Sequence, residues 1–319
     1  MRFKLIHIVF LAVFTAISAF ADEPKDSLAS VYAQMANIKK LNVSTSFSIR
    51  PGGGYNIKKD GAIVENGNSE TFTKFGVNLS YPLFLKGSNR LTASVRYHHL
   101  HQHFNCDDQT SLYGFDKAAH HYFAGGLTGM ATTQLWSKPL VLVGMANCDF
   151  SQDGYERWSA MATAMLMLKR TRETQFGIGL LGMVNTFSRV PVIAVITYRH
   201  QFNPQWTLDL SLPNFRVLYT PKNKGIFSLG GSISADSYYL RPKVEDLPKR
   251  VRYSRSNINL CTGYERNLGA GFKLNAEAGV QLIMTDRIYK KSSSNVIANL
   301  HEKAKPYLSI SLQKGFNIK

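Results

Sequence analysis

The sequence predicts an all-β protein, a transmembrane antiparallel outer-membrane β-barrel of about 12 to 14 strands, preceded by a short N-terminal helical or plug segment. Three observations predict it. Segments that alternate apolar and polar residues recur along the chain, short turns alternate with longer polar loops, and the first residues have the composition of an export signal.

Residues 1–21 contain the three parts of an export signal. Arg2 and Lys4 form a basic start, an apolar run follows, and residues 19–21 (Ala-Phe-Ala) form a small-x-small cleavage site. We therefore expect the mature chain to begin at Asp22, with a retained N-terminal anchor as the alternative. No later window has the roughly 18 apolar residues that a membrane helix needs.

The segment "LNVSTSFSIR", residues 41–50, shows the strand pattern without a break. A strand has a period of two, so this segment has one apolar and one polar face. A soluble eight-stranded barrel has its apolar face inside and needs far fewer residues. An apolar face in nearly every strand of a long chain fits hydrocarbon instead, so we expect lipid to surround Leu41, Val43, Phe47 and Ile49.

The turns predict the strand count and the orientation. Short turns rich in Gly, Pro, Asn or charge occur at 86–89, 137–139, 170–173, 202–205, 221–225 and 266–269. Longer polar loops occur at 51–69, 105–118, 241–255 and 285–304. Short turns at the periplasmic end and long loops outside are typical of these barrels. The count is 14 if residues 206–212 and 215–220 form a hairpin, and 12 otherwise.

Aromatic residues concentrate near the predicted strand ends, where barrels have aromatic girdles at the two membrane interfaces. The residues are Tyr81, Tyr97, Trp136, Trp158, Tyr198, Trp206, Tyr219, Tyr239, Tyr264 and Tyr307. The alternative is that aromatic residues are simply common in strands.

The chain is basic, with 38 Lys and Arg against 21 Asp and Glu among its 319 residues. Such an excess suits nucleic acid, anionic lipid headgroups or anionic solutes. Export argues against nucleic acid, so the expected partners are outer-membrane lipid, lipopolysaccharide and a small solute.

The polar strand faces predict the lining of the lumen. The charged residues expected there are Lys74, Arg96, Asp209, Asp236, Glu265, Lys273 and Glu277. Strands between Leu140 and Tyr198 are apolar on both faces, so that part of the wall looks dry. It needs an apolar ligand or a plug, which a short amphipathic helix at 26–38 would supply. A disordered leader is the alternative for residues 22–39, with the barrel itself expected over 40–319.

Histidines concentrate in "HHLHQHF" (98–104) and "HHY" (120–122). If the two strands pair, His101 is expected opposite His121 at the extracellular lip, near Asp107 and Asp108. Imidazoles near carboxylates bind zinc, copper or nickel. The candidate metal ligands are His101, His103, His120 and His121, and solvated or interfacial histidines are the alternative.

A basic cluster is expected in an extracellular loop at 240–255. Its members are Arg241, Lys243, Lys249, Arg250, Arg252 and Arg255. Such a cluster contacts lipopolysaccharide phosphates or attracts anionic solutes to the barrel mouth, unless the loop is only solvated.

Of the three cysteines, Cys106 and Cys148 lie at the same predicted end and a bridge between them is conceivable, whereas Cys261 is expected to be buried in a strand.

The sequence contains no nucleophile elbow, metalloprotease helix or phosphate-binding glycine loop. It therefore predicts neither an enzyme nor a cofactor, although a barrel enzyme acting on lipid stays as a minor alternative.

The stretch 191–241 resembles an uncharacterised domain-of-unknown-function family of bacterial outer-membrane β-barrel proteins. The similar features are a Pro-initiated strand, the "NPQW" turn, "LSLP", a basic turn and a Gly-rich strand that ends in "YYLR". The resemblance extends more loosely over 40–319. It implies the fold, the Gram-negative outer membrane and assembly by the barrel-assembly machinery, and it transfers no functional residue. The chain departs from the usual terminal aromatic residue, since it ends in "GFNIK".

These observations predict a porin-like barrel for passage or binding of a small solute through a restricted lumen. The alternative is an occluded structural barrel whose basic loops contact lipopolysaccharide or a partner.

Overall fold

The structure is a computed structural model that describes residues 40–106, 112–115, 119–184, 192–211, 213–222, 224–243, 247–290 and 295–317. The predicted signal and plug segments, residues 1–39, lie outside these ranges. The described residues form eighteen strands and no helix that is long and apolar enough to cross a membrane. The strands are β1 (Lys40–Arg50), β2 (Gly53–Lys59), β3 (Ala62–Ser69), β4 (Phe72–Lys86), β5 (Asn89–His101), β6 (Phe104–Cys106), β7 (Ala119–Leu135), β8 (Lys138–Ser151), β9 (Gly154–Arg170), β10 (Thr174–Val184), β11 (Val192–Gln201), β12 (Trp206–Asp209), β13 (Asn214–Tyr219), β14 (Ile226–Leu240), β15 (Val251–Gly269), β16 (Phe272–Lys290), β17 (Val296–Glu302) and β18 (Lys305–Asn317).

Fourteen of these strands form a closed antiparallel barrel. The ring closes where β1 pairs with β18, with Leu41 opposite Phe316. The order around the wall is β1, β4, β5, β7 to β16, and β18. The larger predicted strand count is confirmed, because β12 and β13 form the hairpin on which it depended.

The register of β1 and β18 shows which face of each strand meets lipid. Ser44 and Ser48 of β1 pair with Gln313 and Ser309 of β18, so the polar faces of both strands point the same way. Phe47, on the opposite face, is exposed on the outside of the barrel together with its partner Ile310. The apolar faces therefore meet lipid and the polar faces line the lumen.

Two belts of rings border the apolar surface. At the short-turn end, rings on four adjacent strands follow one another, with centroid distances of 4.7 Å (Trp206 to Tyr219), 6.5 Å (Tyr219 to Phe227) and 4.9 Å (Phe227 to Tyr264). Near the other end Tyr97 lies 5.0 Å from Phe123. A closed barrel with an apolar outer surface and aromatic girdles is an integral outer-membrane protein.

Three sequence predictions about this surface are wrong in detail. Tyr307 pairs with Gly279 on the luminal face and belongs to no girdle. Tyr239 is buried and belongs to no girdle either. The last short turn lies at Ala270 and Gly271 instead of 266–269, because the strand alternation of β15 continues to Gly269.

The long loops build a second layer at the extracellular end. Strands β17, β2, β3 and β6 pair in that order, and β17 pairs with the upper end of β16. This layer and the upper ends of the wall strands enclose one apolar core. Its buried members are Tyr55, Ile57, Phe72, Leu100, Phe104, Tyr113, Phe115, Tyr238, Leu240, Val251, Tyr253, Ile288, Ala298 and Leu300. The extracellular end of the barrel is therefore covered by packed structure.

Candidate luminal site

The upper half of β14 stays paired with β15 as far as Leu240, but it loses its neighbour on the β13 side and bends into the lumen. Strands β12 and β13 have only 4 and 6 residues, and the pairing of β13 with β14 ends where Asn214 meets Ser232. In the lower half of β14, Phe227, Leu229 and Ile233 face outward and are 44%, 64% and 40% exposed. Tyr239 has the same parity on the strand and is only 8% exposed.

An ion pair anchors β14 inside the lumen. Nζ of Lys74 on β4 lies 2.6 Å from Oδ1 of Asp236 on β14, although the two residues are 162 positions apart and their strands are not neighbours in the wall. Both side chains keep about a quarter of their accessible surface, 27% and 25%. The pair therefore crosses a partly hydrated lumen, where such a pair is weaker than in a dry core.

Two tyrosines extend the crossing toward β5 and β7. The hydroxyl of Tyr238 donates to Oε1 of Gln102 at 2.8 Å, and the backbone N–H of Tyr239 donates to the hydroxyl of Tyr122 on β7. Tyr238 also lies in the extracellular core, whereas Tyr239 faces the opposite side of β14. At this level Tyr238 thus packs on the outer layer, and Tyr239 faces the lumen.

Arginines tie the segment after β14 to the turn between β8 and β9. Arg241 forms an ion pair with Asp153, and Nη1 of Arg250 lies 3.2 Å from Oε1 of the buried Glu156. Nη2 of Arg250 also donates to the backbone carbonyl of Asp153 at 2.9 Å. These contacts attach the β14–β15 connection to the far side of the barrel.

The predicted basic loop is therefore placed differently from the expectation. Arg252 and Arg255 lie in β15 and are buried, because this strand begins at Val251 and continues above the membrane surface. Arg241 and Arg250 form the ion pairs described above. Lys243 and Lys249 are exposed on the connection.

A cavity of about 370 Å³ lies between the lumen-facing side of β14 and the wall formed by β5 and β7 to β9. Ala235, Ser237 and Tyr239 line one side. The opposite side is lined by apolar and polar groups together, namely Leu100, Tyr122, Ala124, Met145, Met161, Ser159, Asn147, Arg96, His98, Asp149 and Arg157. Met145 and Met161 belong to the wall that the sequence predicted to be dry, and they face each other in register across β8 and β9.

The charged side chains of the cavity are arranged in close contacts. Nε of Arg157 lies 3.0 Å from Oδ2 of Asp149. The Lys74 and Asp236 pair lies where β14 enters the lumen. Nη2 of Arg96 donates to the neutral amide oxygen of Asn147 at 3.0 Å. The predicted luminal residues Lys74, Arg96 and Asp236 thus meet at one cavity.

The other predicted luminal charges lie lower in the barrel. Nη2 of Arg216 lies 2.8 Å from Oε1 of Glu277, and the two residues belong to strands that are not neighbours. Nζ of Lys273 lies 2.7 Å from Oε1 of Glu265 on the adjacent strand. Asp209 is in register with Arg216 and accepts a hydrogen bond from the backbone of Ser211 at 3.1 Å.

A buried charge network, which the sequence did not predict as a unit, joins the wall to the outer layer. Glu302, at the end of β17, lies 2.7 Å from Arg255, 3.2 Å from Lys305 and 3.9 Å from Arg50. Burial alone raises the pKa of Glu302, but the positive charges of Arg255, Arg50 and Lys305 outweigh it and lower the pKa to about 2. Glu302 therefore stays ionised at physiological pH.

The histidines are separated by the register of β5 and β7. His99, and not His101, lies opposite His121, and their ring centroids are 4.8 Å apart. His120 points the other way and lies against Tyr238, with 5.5 Å between the ring centroids. His103 follows β5, and Asp107 and Asp108 lie outside the described residues. Within the described ranges, no group of three or more His, Cys, Asp or Glu side chains is arranged to hold a metal ion.

The cysteines are free thiols. Cys106 lies in β6, where its Sγ contacts the Tyr55 hydroxyl at 3.0 Å, whereas Cys148 is exposed on the outward face of β8. The conceivable bridge between them is therefore not formed. Cys261 is buried in β15, as its position in a strand predicted.

No family model matches the sequence, and no curated protein does. Solved structures with a similar course of the chain include an outer membrane channel from Pseudomonas putida F1, with 10% identity, a TM-score of 0.45 and 87% of this chain and 96% of that chain covered. A Pseudomonas aeruginosa FadL homologue has 10% identity, a TM-score of 0.37, and coverage of 92% and 95%. A mutant of the TodX monoaromatic hydrocarbon channel has 10% identity, a TM-score of 0.42, and coverage of 87% and 91%. Values this low carry no argument about function, and the predicted resemblance is shown for the outer-membrane barrel architecture and not for a particular family.

Proposed function

We propose that this barrel binds a small, partly apolar solute in the cavity beside β14 and passes it across the outer membrane through a restricted lumen. The observation that carries the proposal is the crossing of β14, which borders a cavity of about 370 Å³ with both apolar and charged walls. Ligand sites are concave, mostly apolar and oriented by a few polar groups, and this cavity has that composition.

The crossing restricts the lumen because it places side chains where an open pore has water. The Lys74 and Asp236 pair spans the lumen between β4 and β14, and the Arg216 and Glu277 pair joins β13 to β16 past the two strands between them. An ion that moves along the lumen must pass these pairs and the packed extracellular layer. We therefore expect slow, selective passage and small conductance.

Conductance and solute entry test the proposal together. The refolded protein is placed in planar bilayers and in liposomes, and entry of sodium phenylacetate and of arabinose is followed by liposome swelling. We expect little steady conductance, swelling with phenylacetate and no swelling with arabinose beyond that of protein-free liposomes. Large steady openings, or rapid entry of arabinose, would show a general pore and overturn the proposal.

Two matched double variants show whether conductance depends on the pair that crosses the lumen or on luminal charge in general. Replacing Lys74 and Asp236 together by alanine removes a pair that crosses the lumen without leaving one charge alone. Replacing Glu265 and Lys273 together removes a pair between adjacent strands. We expect conductance to rise several-fold in the first double variant and to stay near the wild-type value in the second.

An occluded structural barrel is the second candidate, favoured by the apolar core that covers the extracellular end. In that case its surface would contact lipopolysaccharide through exposed residues such as Lys243 and Lys249. It predicts no conductance in either double variant and no swelling with any solute.

A further inference from the structure

We propose that the cavity selects a small carboxylate with an apolar body and that Arg96 binds the carboxylate. This inference rests on the proposed function and names the class of its solute. It is drawn from the balance of charges in the cavity, from the groups opposite Arg96 and from the cavity volume.

The charges of the cavity leave one cation without an acidic partner among the described residues. Lys74 lies 2.6 Å from Asp236, and Arg157 lies 3.0 Å from Asp149. Arg96 instead donates to the amide oxygen of Asn147 at 3.0 Å, and no ion pair joins it to a described carboxylate. Three cations and two carboxylates line this cavity, so its formal charge is positive.

Arg96 is suited to bind an oxyanion because a guanidinium presents several donors in a plane that matches a carboxylate. One donor of Arg96 is directed at Asn147, which is itself on the cavity wall. Asn147 therefore orients the guanidinium by a neutral contact and does not cancel its charge. An anion in the cavity would neutralise the uncompensated cation.

The remaining lining fits an apolar body next to that anion. Met145 and Met161 lie side by side on β8 and β9, and Tyr122 and Tyr239 line the cavity as well. Methionine sulfur and tyrosine rings make favourable contacts with flat apolar groups. A volume of about 370 Å³ corresponds to about a dozen water molecules at ~30 Å³ each, so a single ring with a short acidic side chain fits in it.

Three probes separate the two requirements. Phenylacetate has both the anion and the apolar body, phenylacetamide keeps the shape without the charge, and acetate keeps the charge without the ring. Binding to the full barrel in a neutral detergent is measured by isothermal titration calorimetry. We expect phenylacetate to bind at least 10-fold more tightly than either of the other two probes.

The variants test the role of each wall. Arg96→Gln is expected to raise the Kd for phenylacetate about 10- to 100-fold, the range of charge-assisted hydrogen bonds, and to leave phenylacetamide binding unchanged. Met161→Ser is expected to weaken both ring compounds. Lys273→Gln removes a luminal cation outside the cavity and is expected to change neither, which controls for the general positive charge of the lumen.

The outcomes distinguish this inference from the proposed function. Equal binding of phenylacetate and phenylacetamide, or an Arg96→Gln variant that binds phenylacetate as wild type does, would overturn the inference while passage of solute in the swelling assay still supports the proposed function. Tight, Arg96-dependent binding without any passage would support the inference and overturn the proposed function. A folded, heat-modifiable barrel that binds none of the probes would overturn the inference.

Discussion

Nη2 of Arg255 lies 2.7 Å from Oε2 of Glu302, and this contact joins the wall strand β15 to the outer layer that covers the barrel. Both side chains are almost fully buried, at 3% and 0% exposure. Glu302 also contacts Lys305 and Arg50, so one carboxylate connects three cations from three strands or strand ends. The outer layer is therefore attached to the barrel by charge as well as by its apolar core.

This arrangement predicts a specific dependence of stability on pH. The pKa of Glu302 is lowered to about 2, against a usual value of about 4.3. A lowered pKa contributes stability that is fully present above the unfolded-state pKa and is lost as the pH falls through the folded-state pKa. Glu302→Gln is thus expected to cost about 3 kcal/mol at pH 7, and the difference from wild type should shrink between pH 4.5 and pH 2.

Urea unfolding in lipid, followed by the electrophoretic shift of folded barrel, measures this difference at each pH. Glu70→Gln is the control, since Glu70 is an exposed carboxylate with one long hydrogen bond from Asn105, at 3.3 Å. A Glu302→Gln deficit that is equally large at pH 2 and pH 7 would show that lost packing, and not lost charge, is the cause.

The ion pair of Arg250 with Glu156 predicts how the crossing of β14 is maintained. Oε1 of Glu156 is 3.2 Å from Arg250, and its side chain is fully buried. Glu156→Gln keeps the shape and removes the charge, so the connection between β14 and β15 should detach more often from the β8–β9 turn. We expect trypsin to cleave at Lys243 or Lys249 several-fold faster in intact proteoliposomes.

Glu265→Gln is the matched control for this experiment, because it removes a luminal carboxylate at the other end of the barrel. Equal cleavage rates in wild type and Glu156→Gln would show that the ion pair does not hold the connection in place.

The places of Cys106 and Cys148 predict that the two thiols form no disulfide bridge. Cys148 is exposed on the outside of β8, and Cys106 lies in the outer layer against Tyr55. Their side chains therefore face different environments, so no bridge should form even in an oxidising compartment. Alkylation of the unfolded, unreduced protein followed by mass spectrometry should label all three thiols. Labelling of only one thiol without reductant, and of three after reduction, would contradict the structure.

The sequence predicts the barrel well because strand alternation is a local property. Leu41 and Phe47 show their face within ten residues, and the hairpin of β12 and β13 is marked by its own turns. The charged luminal residues follow from the same alternation, but their partners do not. Lys74 and Asp236 are 162 positions apart in the sequence, so a local pattern cannot predict that they form a pair.

Tyr239 shows where alternation gives a correct direction and a wrong environment. It has the outward parity of Phe227 and Leu229, and its place near a strand end predicted a girdle position. The strand is still paired with β15 at that point but has bent into the lumen, so the outward direction leads into the cavity instead of lipid. Arg252 was likewise expected in a polar loop but is buried in β15, where its guanidinium lies 4.9 Å from the ring centroid of the buried Tyr289. The short β12–β13 hairpin was the available signal, because it leaves upper β14 without a neighbour on that side among the described residues.

The two faces of β1 provide a last prediction, on membrane insertion. Phe47 faces lipid and Ser44 faces the lumen, only three residues away on the same strand. An arginine on the lipid face costs about 2–4 kcal/mol at the bilayer midplane, whereas a luminal arginine remains hydrated. Phe47→Arg should therefore reduce the free energy of folding into bilayers by up to about 4 kcal/mol, according to its depth in the bilayer, and by more than Ser44→Arg, which should change it by less than about 1 kcal/mol. Folding is measured by urea titration in lipid vesicles. If Ser44→Arg proved the more damaging of the two, the assignment of lumen and lipid faces would have to be reversed, and with it the luminal positions of Lys74, Arg96 and Asp236.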